Sequence, residues 1–138
     1  MRGPCGIGNS EHRYLRYMTV RQKRDKDLAV YFCTFTCYNW LPLIKEADAH
    51  DAVYKWMHIA SAKGFAFLGY AIMPNHAHFL IRVPEGGAIN TMLGTGKRFI
   101  AYAIITALKE RGSTTVLRTL SAGVRISDGA RGQKHRVF

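Results

Sequence analysis

His76 and His78 stand one residue apart inside the apolar run AIMPNHAHFLIRVP, residues 71–84. Valine or isoleucine would pack better there, so the imidazoles call for a chemical reason. Side chains alternate across a β-strand, so both rings project from one face, about 7 Å apart by the rise per residue. Nitrogens held in this way can converge on one divalent cation, and a strand supplies the rigidity a metal site needs. A ligating imidazole must be neutral, the form histidine ordinarily takes near pH 7. Two partly buried histidines bonded to backbone or water would show the same spacing. Two ligands also leave a metal site incomplete.

The elements that must position the pair can be read from the pattern around it. Residues 29–38, AVYFCTFTCY, are rich in β-branched and aromatic types and predict a strand, ended by Asn39-Trp40-Leu41-Pro42. Residues 45–63 predict a helix, because Ala49, Val53, Trp56, Met57 and Ala60 recur at three- and four-residue spacing before Gly64. Residues 65–73 predict a second strand, Pro74-Asn75 a tight turn, and residues 76–83 a third strand antiparallel to the second. In that third strand His76, His78, Leu80 and Arg82 share an open face. Ala77, Phe79, Ile81 and Val83 form the apolar face that belongs against helices. After a Pro84–Gly87 loop, residues 89–110 predict a long helix closed by Gly112. Residues 113–121 suit a short helix, 122–134 a Gly-rich basic loop, and Val137-Phe138 the start of another strand. The order predicts an α+β fold, ferredoxin-like: a split βαβ with one antiparallel sheet and helices on one face.

A chain of 138 residues fits one domain, here 28–138, preceded by a polar, basic, aperiodic arm over 1–27. Met18 offers an alternative start. No apolar run is long enough to span a bilayer, and the N-terminus lacks an apolar signal core, so a cytoplasmic protein away from membranes is the default expectation. The three cysteines, Cys5, Cys33 and Cys37, form no paired CxxC motifs and read as reduced thiols. Cys33 and Cys37 suit small core positions, with zinc binding as the alternative.

The net charge of +11 and pI near 10.0 point to a polyanionic partner. Residues 1–27 carry seven Lys and Arg against three acids, residues 28–96 four against four, and residues 97–138 nine against two. A neutral middle between basic ends suits a folded core flanked by phosphate-tracking segments. Candidate phosphate contacts are Arg82 on the site face, Lys97 and Arg98 near the start of the long helix, and Arg125, Arg131, Lys134 and Arg136 in a mobile tail. Each alone suits a solvated surface equally well. Among the aromatics of the first strand, Tyr31, Phe35 or Phe32, according to register, could stack on bases, although core packing is their ordinary role.

The stretch GYAIMPNHAHFLIRVP resembles the signature of the REP-associated, single-tyrosine HUH transposases, in which a hairpin carries Met-Pro-Asn-His-x-His before an apolar strand. Here those residues are Met73, Pro74, Asn75, His76, Ala77 and His78. YFCTFTCYNWLP resembles the family's first strand and GKRFIAYAIITAL its basic helix after the motif, so the likeness runs from about residue 30 to the end. The resemblance implies a ferredoxin-like sheet with the histidine pair on its central strand. It implies Mg²⁺ or Mn²⁺ held by His76 and His78 against a scissile phosphate, and single-stranded or hairpin DNA as partner. It also implies a tyrosine that forms a 5′-phosphotyrosine link during DNA transposition, and a working homodimer.

The chain departs from that pattern past the histidines. The family's tyrosine lies some tens of residues further on, with Asn or Gln one helical turn beyond it. This chain has no tyrosine after Tyr102, 24 residues past His78, and Thr106 stands at the +4 position. Tyr102 is thus the available nucleophile candidate, while its neighbours Phe99, Ile100 and Ala103 suit helix packing. The sequence stops at KHRVF, where the family continues into a further strand and the tyrosine helix, as expected of a truncated product without cleavage. Two other readings stand beside transposase: a hairpin DNA- or RNA-binding module without catalysis, and a basic metal-binding protein with no nucleic-acid role.

Overall fold

A computed structural model describes residues 29–138. The basic arm over 1–27, Cys5 and Met18 lie outside the described residues. Three strands, β1 (Val30–Thr36), β2 (Ala66–Ile72) and β3 (His76–Arg82), form an antiparallel sheet in the order β1-β3-β2. The helices are α1 (Leu43–Glu46), α2 (His50–Ala62), α3 (Ile89–Glu110), α4 (Thr114–Ala122) and α5 (Ile126–Gly129). The fold is α+β, with the strand–helix–hairpin–helix order of a split βαβ and the histidine strand in the centre of the sheet.

Alternation along β1 and β3 divides the sheet into two unlike faces. Cys33, Phe35, Ala77, Phe79 and Ile81 are buried beneath the helices. Phe79 and Ile81 lose all contact with water, and each such side chain contributes about 1.5–3 kcal/mol of transfer free energy. Phe35, Trp56, Phe67 and Phe79 form an aromatic cluster with centroids 5.2 Å apart for Trp56 on Phe79 and 5.9 Å for Phe67 on Phe79. α3 packs onto this core through Met92, Gly96, Ile100, Ile104 and Leu108, one position in four. At Gly96 any Cβ would collide with the Trp56 ring of α2, so this glycine sets the close approach of the two helices.

Three stretches differ from the sequence expectation. The helix predicted over 45–63 is two helices, because Asp48 adopts φ +50° and turns the chain between α1 and α2. The turn buries Ala47 and Ala49, so apolar spacing continues across the break and conceals it from a periodicity argument. The basic loop predicted over 122–134 contains α5. The expected strand start at Val137-Phe138 is a single bond: the Tyr38 backbone N–H donates to the Val137 carbonyl at 2.8 Å, with Val137 buried and Phe138 against the Phe35 ring.

The pairing pattern also leaves the β1 edge of the sheet unpaired among the described strands. The Cys37 N–H donates to the Asn75 carbonyl and the Val83 N–H to the Ala29 carbonyl, so odd-numbered residues of β1 bond to β3. The backbone groups of Val30, Phe32, Thr34 and Thr36 therefore point away from β3 along the outer edge of β1. Among the described residues, no helix is long and apolar enough to cross a membrane.

Candidate functional site

His76 and His78 are half-buried on the face of the sheet opposite the helices. Their ring centroids lie 4.8 Å apart, closer than the backbone rise alone implies, with the planes inclined at 75°. Register places Thr36 beside His76, Thr34 beside His78, Phe32 beside Leu80 and Val30 beside Arg82. On the other side, Ala71 flanks His78 and Gly69 flanks Leu80. A bulge between Phe67 and Gly69 brings that glycine onto the open face.

Each imidazole is fixed through Nδ1. His76 Nδ1 lies 2.7 Å from Asn75 Oδ1, and because an amide oxygen only accepts, His76 donates through Nδ1–H. This tautomer leaves the Nε2 lone pair free. Asn75 Nδ2 in turn donates to the Trp40 carbonyl at 3.3 Å, which orients the amide. His78 Nδ1 lies 2.8 Å from Thr34 Oγ1, a hydroxyl able to accept the Nδ1 proton and leave Nε2 free here too. Two imidazoles whose Nδ1 atoms are tied by oxygen partners could offer Nε2 to a divalent metal as a donor pair. Among the described residues, no group of three or more His, Cys, Asp or Glu side chains is gathered for a metal, so the pair could supply two ligands.

Aromatic side chains flank the pair. Phe32 is stacked on His78 with centroids 5.3 Å apart and planes inclined by 22°. Trp40 meets His76 edge-on at 5.7 Å. Both are exposed, Phe32 at 66% and Trp40 at 63%.

The other sequence candidates are dispersed. Arg82 is exposed on the open face, in line with the histidines. Lys97 instead reaches the helix side of the sheet, where its ammonium stands 5.2 Å from the centroid of the Phe35 ring. Burial lowers its pKa and the nearby Cys33 thiol opposes that shift. Burial likewise raises Cys33, with Lys97 acting against it. Arg98 and Tyr102 are exposed on α3, about half a helical turn from the buried Ile100, and so face away from the sheet. Tyr102 is 69% exposed, which corrects the expectation that it packs: Ile100 and Ile104 take the inward positions on either side of it. Within one chain the fold does not bring Tyr102 to the histidines.

In the tail, Arg125 stands at the N-cap position of α5 without a side-chain capping bond, and Lys134 is exposed. Arg131 pairs with Asp128 at 2.9 Å. Arg136 is held rather than mobile. Its guanidinium lies 4.8 Å above the Tyr38 ring and its backbone N–H donates to the Leu120 carbonyl. A larger surface recess of about 410 Å³, between α2 and the start of α3, contains none of these candidates.

Sequence reasoning missed roles for Asn75, Thr34 and Trp40. Asn75 stood inside the quoted motif, next to His76. Thr34 could be found only from cross-strand register, which no local pattern encodes.

No protein-family model matches the chain, and no curated protein is similar to it in sequence. Among solved structures, it is similar to a protein from Deinococcus radiodurans R1 assigned as a transposase, with a TM-score of 0.52 and 15% identity over 65% of this chain and 70% of that one. At that identity the likeness shows a shared fold.

Proposed function

We propose that this chain handles single-stranded or hairpin DNA in the manner of the REP-associated single-tyrosine transposases that its GYAIMPNHAHFLIRVP stretch resembles. The observation that carries this reading is the open-face pair His76 and His78, each bonded at Nδ1 to a neighbouring oxygen, Asn75 Oδ1 and Thr34 Oγ1. These residues would hold Mg²⁺ or Mn²⁺, which when bound supplies Lewis acidity toward a phosphate oxygen. The protein's own part is positional. Asn75 and Thr34 orient the rings, and Arg82 places a cation on the same face. The likeness to a fold assigned as a transposase supports the reading, and so does the net charge of +11.

Transposition chemistry further requires a tyrosine to attack phosphorus, forming the phosphotyrosine bond as the 3′-oxygen leaves. Tyr102 on the outward face of α3 could serve only a site other than its own chain's, as in a homodimer. Its placement favours a second reading, a module that binds hairpin DNA or RNA without cutting it. Incubation of the protein with single-stranded hairpin DNA and Mn²⁺, followed by denaturing electrophoresis for adducts and native electrophoresis for retardation, separates the two. A covalent adduct lost in both His76→Ala and Tyr102→Phe establishes cleavage by Tyr102. Retarded DNA without an adduct establishes the binding module. No retention of DNA under any condition defeats both.

A further inference from the structure

The open face has an unusual makeup for a water-exposed surface. Beside the donor pair it presents Phe32, Trp40 and Leu80 to solvent, at 66%, 63% and 39% exposure. Next to Phe32 lies a shallow recess of about 270 Å³, bordered by His78, Leu80, Gly69, Tyr70 and Ala71. The recess exists because β2 offers glycine and alanine where the neighbouring strands carry Leu80 and His78. Its floor is almost entirely apolar, while the His78 imidazole at its margin, with His76 beyond it, suits a metal or phosphate. Trp40 sits at the other end of the pair with a backbone φ of +56°, a conformation that bulky residues rarely adopt. Its N–H donates to the Cys37 carbonyl and its own carbonyl accepts from the Asn75 side chain, so the neighbours that order His76 also hold Trp40 in place.

A ligand matching these surfaces is a flat, apolar-faced ring joined to an anion. From the two exposed rings at opposite ends of the histidine pair, and the net charge of +11 for a polyanionic strand, we infer that Phe32 and Trp40 are stacking platforms. They take unpaired bases of single-stranded DNA on either side of the phosphate addressed by His76 and His78, with the Phe32 base seated in the recess over Gly69 and Ala71. The inference rests on the DNA-binding reading above and deepens it. Stacking accepts any base, so it supplies affinity and alignment of the strand more than sequence selection.

The test is fluorescence anisotropy with the full chain and a labelled single-stranded oligonucleotide, alongside a series of the same oligonucleotide carrying one abasic position at each site in turn. Phe32→Ala and Trp40→Ala should each weaken binding roughly 5- to 100-fold, the range for loss of one base–aromatic stack, while Phe32→Tyr retains it. For the wild-type chain, abasic substitution at two particular positions should weaken binding comparably. At one of them Phe32→Ala should add no further loss. Near-equal affinity of both alanine variants, together with indifference of the wild-type chain to every abasic position, overturns the stacking inference and leaves DNA binding intact. Absence of binding by the wild-type chain overturns the underlying reading instead. The abasic series needs no variant, so it decides the matter even if an alanine protein fails to fold.

Discussion

The histidine pair depends on two modest neighbours. Asn75 holds His76 in the tautomer that frees Nε2, and Thr34 contacts Nδ1 of His78 from the adjacent strand. On the metal reading, Asn75→Ala should lower Mn²⁺ affinity roughly 10- to 100-fold with both imidazoles still present. Titration followed by the loss of free-Mn²⁺ electron paramagnetic resonance signal measures this directly. His76→Ala should lower it more. A second residue-scale prediction concerns Cys37, whose thiol is pushed from 9.0 up to about 11, chiefly by burial, with hydrogen bonding from the backbone at Leu43 and Ile44 pulling the other way. A folded-state pKa above the unfolded value means that this contribution to stability is whole below pH 9.0 and is lost as pH rises toward about 11. Urea midpoints for wild type and Cys37→Ala should therefore converge across that window if the thiol is responsible for the alkaline loss.

At the scale of elements, the same residues explain both what could be read from sequence and what could not. The long helix shows its period plainly, with Ile100, Ile104 and Leu108 one turn apart, and α3 has the predicted bounds of 89 and 110. The two faces of β3 were legible because its inward positions are uniformly apolar. The break at Asp48 was not, because buried alanines on both sides preserve the spacing. The stacked Phe32 was one of three open choices, since register against β3 alone decides which aromatics of β1 turn outward. Gly96 carries no signal of its own in the sequence, yet it is the place where α3 meets the Trp56 ring of α2. Gly96→Ala would gain helix propensity if isolated, yet here the added methyl must push two helices apart. It should destabilise the fold by about 1–3 kcal/mol, the usual cost of overpacking, measurable as a lower urea midpoint at unchanged slope.

Over the molecule as a whole, among the described residues, Arg82 lies in line with the imidazoles on the open face, whereas Lys97 reaches the helix side of the sheet and Arg98 faces away from it. On the DNA-binding reading, Arg82 is a cation that a strand at the histidines would meet. Binding to single-stranded DNA should weaken with salt at a logarithmic slope of about −0.7 per phosphate contacted. Arg82→Ala should reduce the slope by roughly one such increment, with a uniform loss across sequences. A slope unchanged in this variant would place the phosphate track elsewhere on the surface.

The outer rim of β1 gives this arrangement one more property. Among the described residues, Thr34 contacts His78 from a strand paired on one side, while its opposite flank presents backbone donors and acceptors. Fraying of that strand would withdraw the hydroxyl from the imidazole before the buried core felt any change. A guest strand clasped along the rim would do the reverse, tightening the grip on a ring that it never touches.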